Sequence, residues 1–215
     1  MRSLFFKYFK IMNVFKQLYN WVLSWAGTKY GATVLFFIAF TESIFFPIPP
    51  DILLIALALG ATANSFKYAF ICTVGSVLGA FVGYAIGNYA WLTSNGEFSA
   101  FANFFFTNIP GFSVALYENI KNLFIEWDFW VIFTAGFTPI PYKVFTISAG
   151  AFDINIVMFA IASIISRGAR FFLLAWLIWK YGASIKLFID KYFNVLALAF
   201  TFLLIGSFVL IKYII

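Results

Sequence analysis

The sequence predicts an all-α integral membrane protein built as an inverted repeat of two re-entrant, proline-broken helical hairpins. Three observations lead there. The 215 residues are 64% hydrophobic, 23% aromatic and only 10% charged, too few polar groups to cover a soluble globule of this length. Apolar runs of about 20 residues recur, each long enough to cross a bilayer core. Finally, one pattern occurs twice: FFIAFTESIFFPIPPDILLIALALGA over 36–61 and FWVIFTAGFTPIPYKVFTISAGA over 129–151. Each copy has an apolar half-helix, a Pro-Ile-Pro break, a second apolar half and a closing glycine, Gly60 or Gly150.

The breaks are Pro47, Pro49 and Pro50 in the first copy, Pro139 and Pro141 in the second. Proline lacks an amide donor and restricts the residue before it, so each cluster ends a helix. The backbone groups it frees cannot face lipid, and the breaks therefore belong inside protein or beside a wet cavity. The flanking halves, roughly 10–16 residues, are too short to span upright and read as hairpins that dip in and return. A transmembrane helix follows each, at 66–90 and 154–179, and 192–214 forms a C-terminal transmembrane helix.

A single crossing between the hairpins turns the second upside down relative to the first, and charge agrees. Arg2, Lys7, Lys10, Lys16 and Lys29 precede the first hairpin with no acid among them, placing that end in the cytoplasm. Between the repeats, Glu97, Glu118, Glu126 and Asp128 outnumber Lys121, as suits the periplasm. Lys180, Lys186 and Lys191 restore the basic balance beyond 180, with Asp190 the acid there. Broken helices meeting near the midplane of an inverted repeat are a common transporter plan.

The resulting divisions are an amphipathic interfacial helix over 1–29, a core over 30–180 and a C-terminal transmembrane segment over 181–215. Within the core, repeat one covers 30–91, a periplasmic interfacial segment 92–128, and repeat two 129–180. In the leader, Lys10, Asn13, Gln17, Asn20 and Ser24 oppose a stripe of Phe5, Phe9, Met12, Phe15, Tyr19 and Val22. It lacks the compact apolar stretch and cleavage site of a secretory signal. Phe112, Leu116, Ile120, Leu123 and Trp127 give the interfacial segment an apolar face, between turns at Ser94-Asn95-Gly96 and Asn108-Ile109-Pro110-Gly111.

Composition also excludes. With Cys72 the single cysteine and histidine absent, thiolate metal clusters, ordinary zinc sites, serine–histidine triads and histidine relays have no ligands. No cofactor or metal is expected, and no nucleophile–base constellation marks an enzyme. The net charge of +6 lies mostly at the expected cytoplasmic margins and points to anionic lipid as partner, not nucleic acid.

Ionisable side chains inside apolar stretches are the functional candidates. Glu42 lies in the first half-helix and Asp51 directly after the first break. Lys143 stands two residues past the second break, where it either binds or snorkels. Arg167 and Arg170, one turn apart in the 154–179 span, point to nearly one side. Their counter-charge is either Glu42 and Asp51 or a phosphate, which guanidinium forks bind well. Glu42 and Asp51 are the candidates for proton coupling, although Asp51 also fits an N-cap. Gly75, Gly79, Gly83 and Gly87 lay a flat stripe along the 66–90 span, for packing inside the chain or against a second copy in a homodimer.

These motifs resemble the DedA family, the VTT-domain or SNARE-associated Golgi proteins. The resemblance spans roughly residues 30–180 and rests on Glu42 through Asp51, the glycine ladder, and Gly136 through Lys143. Ser148-Ala149-Gly150 and Arg167 through Phe171 are similar to its YqaA-like branch. The resemblance implies two re-entrant hairpins facing each other and transport or scrambling of phospholipid-like molecules. Bacterial members are linked to undecaprenyl phosphate recycling driven by the proton motive force, and eukaryotic members resemble scramblases. Glu42 and Asp51 match the acidic pair of the better-studied bacterial branch. Its arginine pair beside the second proline is replaced here by Gly136 and approximately Lys143, which leaves Arg167 and Arg170 to supply that charge and the substrate open.

Overall fold

A computed structural model describes residues 17–18, 20–108, 113–138, 141–182 and 184. Most of the leader expected as an amphipathic helix, the expected C-terminal helix at 192–214, Pro139, and the Ile109-Pro110-Gly111 part of the turn lie outside the described residues.

Local chemistry sets the element ends. Helix α1, Gly31–Glu42, stops ahead of Pro47 as the Thr41 carbonyl accepts the amides of Ile44, Phe45 and Phe46 at 3.1, 2.8 and 2.8 Å. Helix α2, Asp51–Gly60, starts straight after Pro50, whose φ of −66° is already helical. A 3-10 turn, Thr62–Asn64, leads into α3, Ser65–Trp91, of 27 residues. The Ser94-Asn95-Gly96 turn is closed by a Leu92–Phe98 bridge, with Gly96 at φ 77° where a side chain is disfavoured.

Helix α4, Ala100–Asn108, is short. Helix α5, Val114–Phe137, is capped by the Ser113 hydroxyl, which accepts the Leu116 amide. After the second break come α6, Tyr142–Ala151, and α7, Ile156–Tyr181, whose cap is Asn155 accepting the amides of Val157 and Met158. Among the described residues the structure is helical, with that single isolated bridge.

The register of contacts gives the helix directions. Gly31, at the start of α1, faces Leu57 in the last turn of α2, so these two helices run antiparallel. A Cβ added to Gly75 or Gly79 would run into the carbonyl oxygens of Phe36 and Phe40 respectively, so α1 and α3 lie parallel. Across the molecule, Phe66 meets Phe172 and Trp179, Ser76 meets Arg167, and Tyr84 meets Phe159. Rising numbers on α3 thus meet falling numbers on α7, and these long helices cross antiparallel.

The glycine ladder lets the backbones approach this closely. Gly75 and Gly79 seat α1; Gly83 and Gly87 seat α6, where added Cβ atoms would overlap Thr146 and the Ile147 carbonyl. All four glycines are buried within the chain, so the stripe serves internal packing and is not free for a second copy.

Two helices, Thr62–Trp91 (α3 with its preceding turn) and Ile156–Tyr181, are long and apolar enough to cross a membrane. Their outward faces carry exposed Phe70, Leu78, Val82 and Ile86 on α3, and Ile161, Ile164, Ile165 and Leu173 on α7. Two sequence expectations need correction. Helix α5 runs unbroken across 128/129 for 24 residues, so the charged stretch before 128 and the apolar 129–137 stretch form one rod, with the short α4 ahead of it. Helix α6 continues one residue past Gly150.

Candidate functional site

Proline chemistry explains where the polar groups converge. In a continuing helix the carbonyls of Ser43, Phe45 and Phe46 would bond amides four residues on, at positions 47, 49 and 50. All three are prolines, so those carbonyls lose their partners. The second repeat supplies replacements: Thr146 Oγ1 shares its proton between Ser43 O at 3.2 Å and Lys143 O at 3.0 Å, and Lys143 Nζ donates to Phe45 O and Phe46 O at 3.2 and 3.4 Å. The same logic returns at the second break. Pro141 deprives the Phe137 carbonyl, which receives Arg170 Nη1 at 3.4 Å. Each break is thus answered by a cation, and Lys143 answers one from the other repeat.

Two ion pairs stand beside these contacts. Arg170 grips Asp51 with a fork, Nε to Oδ1 and Nη2 to Oδ2, both at 2.9 Å. Arg167 Nη2 meets Glu42 Oε2 at 2.8 Å, and its Cζ lies 4.9 Å from the Tyr142 ring centre and 4.7 Å from that of Phe171. Side-chain exposure is 3% for Arg167 and 13% for Glu42, against 14% for Arg170 and 13% for Asp51.

Hydroxyl groups complete the Arg167 site in a defined direction. Ser43 Oγ donates to Ala39 O at 3.1 Å, so its one proton is spent. The 2.9 Å bond between Ser43 Oγ and Ser76 Oγ must then be donated by Ser76. Ser76 Oγ in turn accepts Arg167 Nε at 2.6 Å. Tyr142, packed on the same guanidinium, donates its hydroxyl to Ser163 Oγ at 2.6 Å. A buried arginine is thereby held by a carboxylate, a hydroxyl relay and two rings.

The structure therefore brings together Glu42, Asp51, Lys143, Arg167 and Arg170, every ionisable candidate read from the sequence. It bears on two alternatives. Asp51 occupies the first position of α2 and makes no cap; its carboxylate turns to Arg170. Lys143 sets its ammonium on two carbonyls of the first break. Sequence reasoning missed Ser43, Ser76, Tyr142 and Ser163. A serine at 76, inside the glycine ladder of an apolar helix, was the available signal. Among the described residues no cluster of metal-ligating side chains occurs.

Fold and site together define an all-helical protein with two helices able to cross a membrane and five ionisable groups gathered where two proline breaks meet. The chain is 35% identical over 181 residues to an uncharacterized protein of Haemophilus influenzae, covering 81% of this chain and 88% of that one. It is 34% identical over 180 residues to an uncharacterized protein of Histophilus somni, with the same coverage of 81% and 88%. The chain belongs to the family of these proteins. No family model matches it, and no solved structure does.

Proposed function

We propose that this is a multi-pass protein of the bacterial inner membrane, N-terminus in the cytoplasm, that flips or scrambles a lipid with an anionic phosphate headgroup. In this reading α1–α2 and α5–α6 are the re-entrant hairpins of a DedA-like inverted repeat. In the first hairpin, helices of 12 and 10 residues reach only about 18 and 15 Å at 1.5 Å per residue, short of a core about 30 Å thick; in the second, α6 is as short, and the 24-residue α5 carries Glu118, Lys121 and Glu126 along the part ahead of its apolar 129–137 stretch. The antiparallel crossing of α3 and α7 supports an arrangement with the two breaks on opposite approaches to the midplane. Apolar outer faces on both long helices suit lipid contact, and would be an aggregation hazard in water. Lys67, Trp176, Trp179, Lys180 and Tyr181, near the Phe66–Trp179 contact, form one interfacial belt.

The observation that carries the reading is the fork between Arg170 and Asp51, which keeps some solvent access at mid-span. A lipid phosphate can replace the Asp51 carboxylate in that fork with little change of geometry.

One observation favours a second reading, a membrane assembly factor without transport: Arg167 and Arg170 are both paired already, as a structural clip requires. Purified protein in liposomes separates these, with labelled lipid and ion flux followed together. Arg170→Ala and Glu42→Gln proteins that fold are expected to move lipid at least tenfold more slowly than wild type. Lipid movement at the wild-type rate in both variants overturns the proposal. Ion flux without lipid movement points to an ion or solute pathway. A protein silent in both assays, whose function survives exchange of Asp51 and Arg170 for each other, is the clip.

A further inference from the structure

Among the described residues, the site where the breaks meet holds three cations, Lys143, Arg167 and Arg170, against two carboxylates, Glu42 and Asp51. The arginines each have an acid. Lys143 has none within ion-pair distance among the described residues; its contacts are the two carbonyl oxygens freed by Pro49 and Pro50. Carbonyl dipoles hold an ammonium in place without cancelling its charge, so these five groups together carry a formal +1. Lys143 is half-buried, and its two bonds of 3.2 and 3.4 Å are long enough to yield.

A net charge inside a low-dielectric slab is costly, and the cost falls to its minimum when the occupant makes the total zero. A singly charged anion does this. A zwitterion leaves the site at +1, and a doubly charged phosphomonoester takes it to −1. Resting on the lipid-transport reading above, we infer that the site selects a phosphodiester monoanion, and that Lys143 is the residue setting that selectivity. Arg170 offers the fork, and Lys143 supplies the one charge that no protein carboxylate balances. Its tether to Phe45 and Phe46 further means that an anion drawing Lys143 away also loosens the contact between the two repeats.

The test uses the full chain in phosphatidylcholine liposomes doped with one labelled lipid: phosphatidylglycerol, phosphatidylcholine or phosphatidic acid. Wild type is expected to move phosphatidylglycerol about tenfold faster than either of the others. Lys143→Gln is expected to bring the phosphatidylglycerol-to-phosphatidylcholine ratio within about twofold of unity, and Lys143→Arg to preserve the wild-type ratio. Equal wild-type rates for the two lipids, or a ratio unchanged in Lys143→Gln, overturns the selectivity while leaving lipid transport standing. The wild-type ratio needs no variant, so a Lys143→Gln protein that fails to fold does not shield the inference. If no labelled lipid moves at all, the lipid-transport reading fails first. Glycerophosphoglycerol, the same diester without tails, distinguishes lipid from soluble anion. Competition without uptake supports a lipid headgroup, and uptake with lipid immobile overturns it.

Discussion

Arg167 and Arg170 stand one turn apart on α7, and each faces a carboxylate of the first repeat, yet their surroundings differ in kind. Arg167 is sealed between Tyr142 and Phe171, its Nε committed to Ser76 and its Nη2 to Glu42. Arg170 has a stronger fork to its acid, but it reaches one carbonyl at 3.4 Å and keeps several times more accessible surface. The first pair has become part of the packing. The second keeps an open side, and on the proposed function it is the bond that another anion replaces. Two identical residues in one helix thus take different roles, decided by what else has already claimed their donors.

The largest effect should come from breaking the sealed pair. Arg167→Met leaves Glu42 buried beside a hydroxyl relay with no donor, and should cost about 3–5 kcal/mol. A protein that fails to purify as a single species in mild detergent, or melts far below wild type, is the expected outcome. A near-native melting midpoint would move Arg167 out of the packing and erase the contrast. The glycine ladder comes next. Gly79→Ala drives a methyl into the Phe40 carbonyl, while Gly168→Ala places one 3.8 Å from Thr73 at ordinary contact. The first should cost about 1–3 kcal/mol and the second less than about 0.5. Equal thermal shifts would mean that α1 and α3 are not packed on backbone.

Arg170→Met should cost about 1 kcal/mol, well below Arg167→Met, because partly solvated ion pairs contribute little net. Its effect on lipid movement should nevertheless exceed that of any variant of comparable stability. Melting and translocation measured on one preparation check both halves of that statement.

Much of this arrangement was legible in the chain. Apolar length placed the two long helices within two residues of their observed ends, since α3 and α7 run 65–91 and 156–181. Proline spacing located the first break, and fourfold glycine spacing marked the packing face of α3. What could not be read was register between the repeats. Whether Arg167 takes Glu42 or Asp51 depends on how far α7 slides along α1 and α2, which no local pattern encodes. Serines 43 and 76 were invisible for a related reason: a lone hydroxyl in an apolar helix usually bonds its own turn, and only the facing arginine gives it a larger part. The charges of 118–126 read as an interfacial segment, although α5 carries them on the same rod as the apolar 129–137 stretch.

On this account, two proline-broken hairpins enter from opposite faces of a membrane, and the repeats are bound to each other by Lys143 on the orphaned carbonyls and by the two arginine–carboxylate pairs. Single cysteines in a Cys72→Ser background test it most directly, because the native thiol is buried. The account predicts that cysteines at Thr28 and Thr62, flanking the first hairpin, react with an impermeant maleimide from the cytoplasmic side alone. Cysteines at Ala115 and Ile156, flanking the second, should react only from the periplasmic side. Labelling of all four from one side, or of Thr28 and Thr62 from opposite sides, would contradict it.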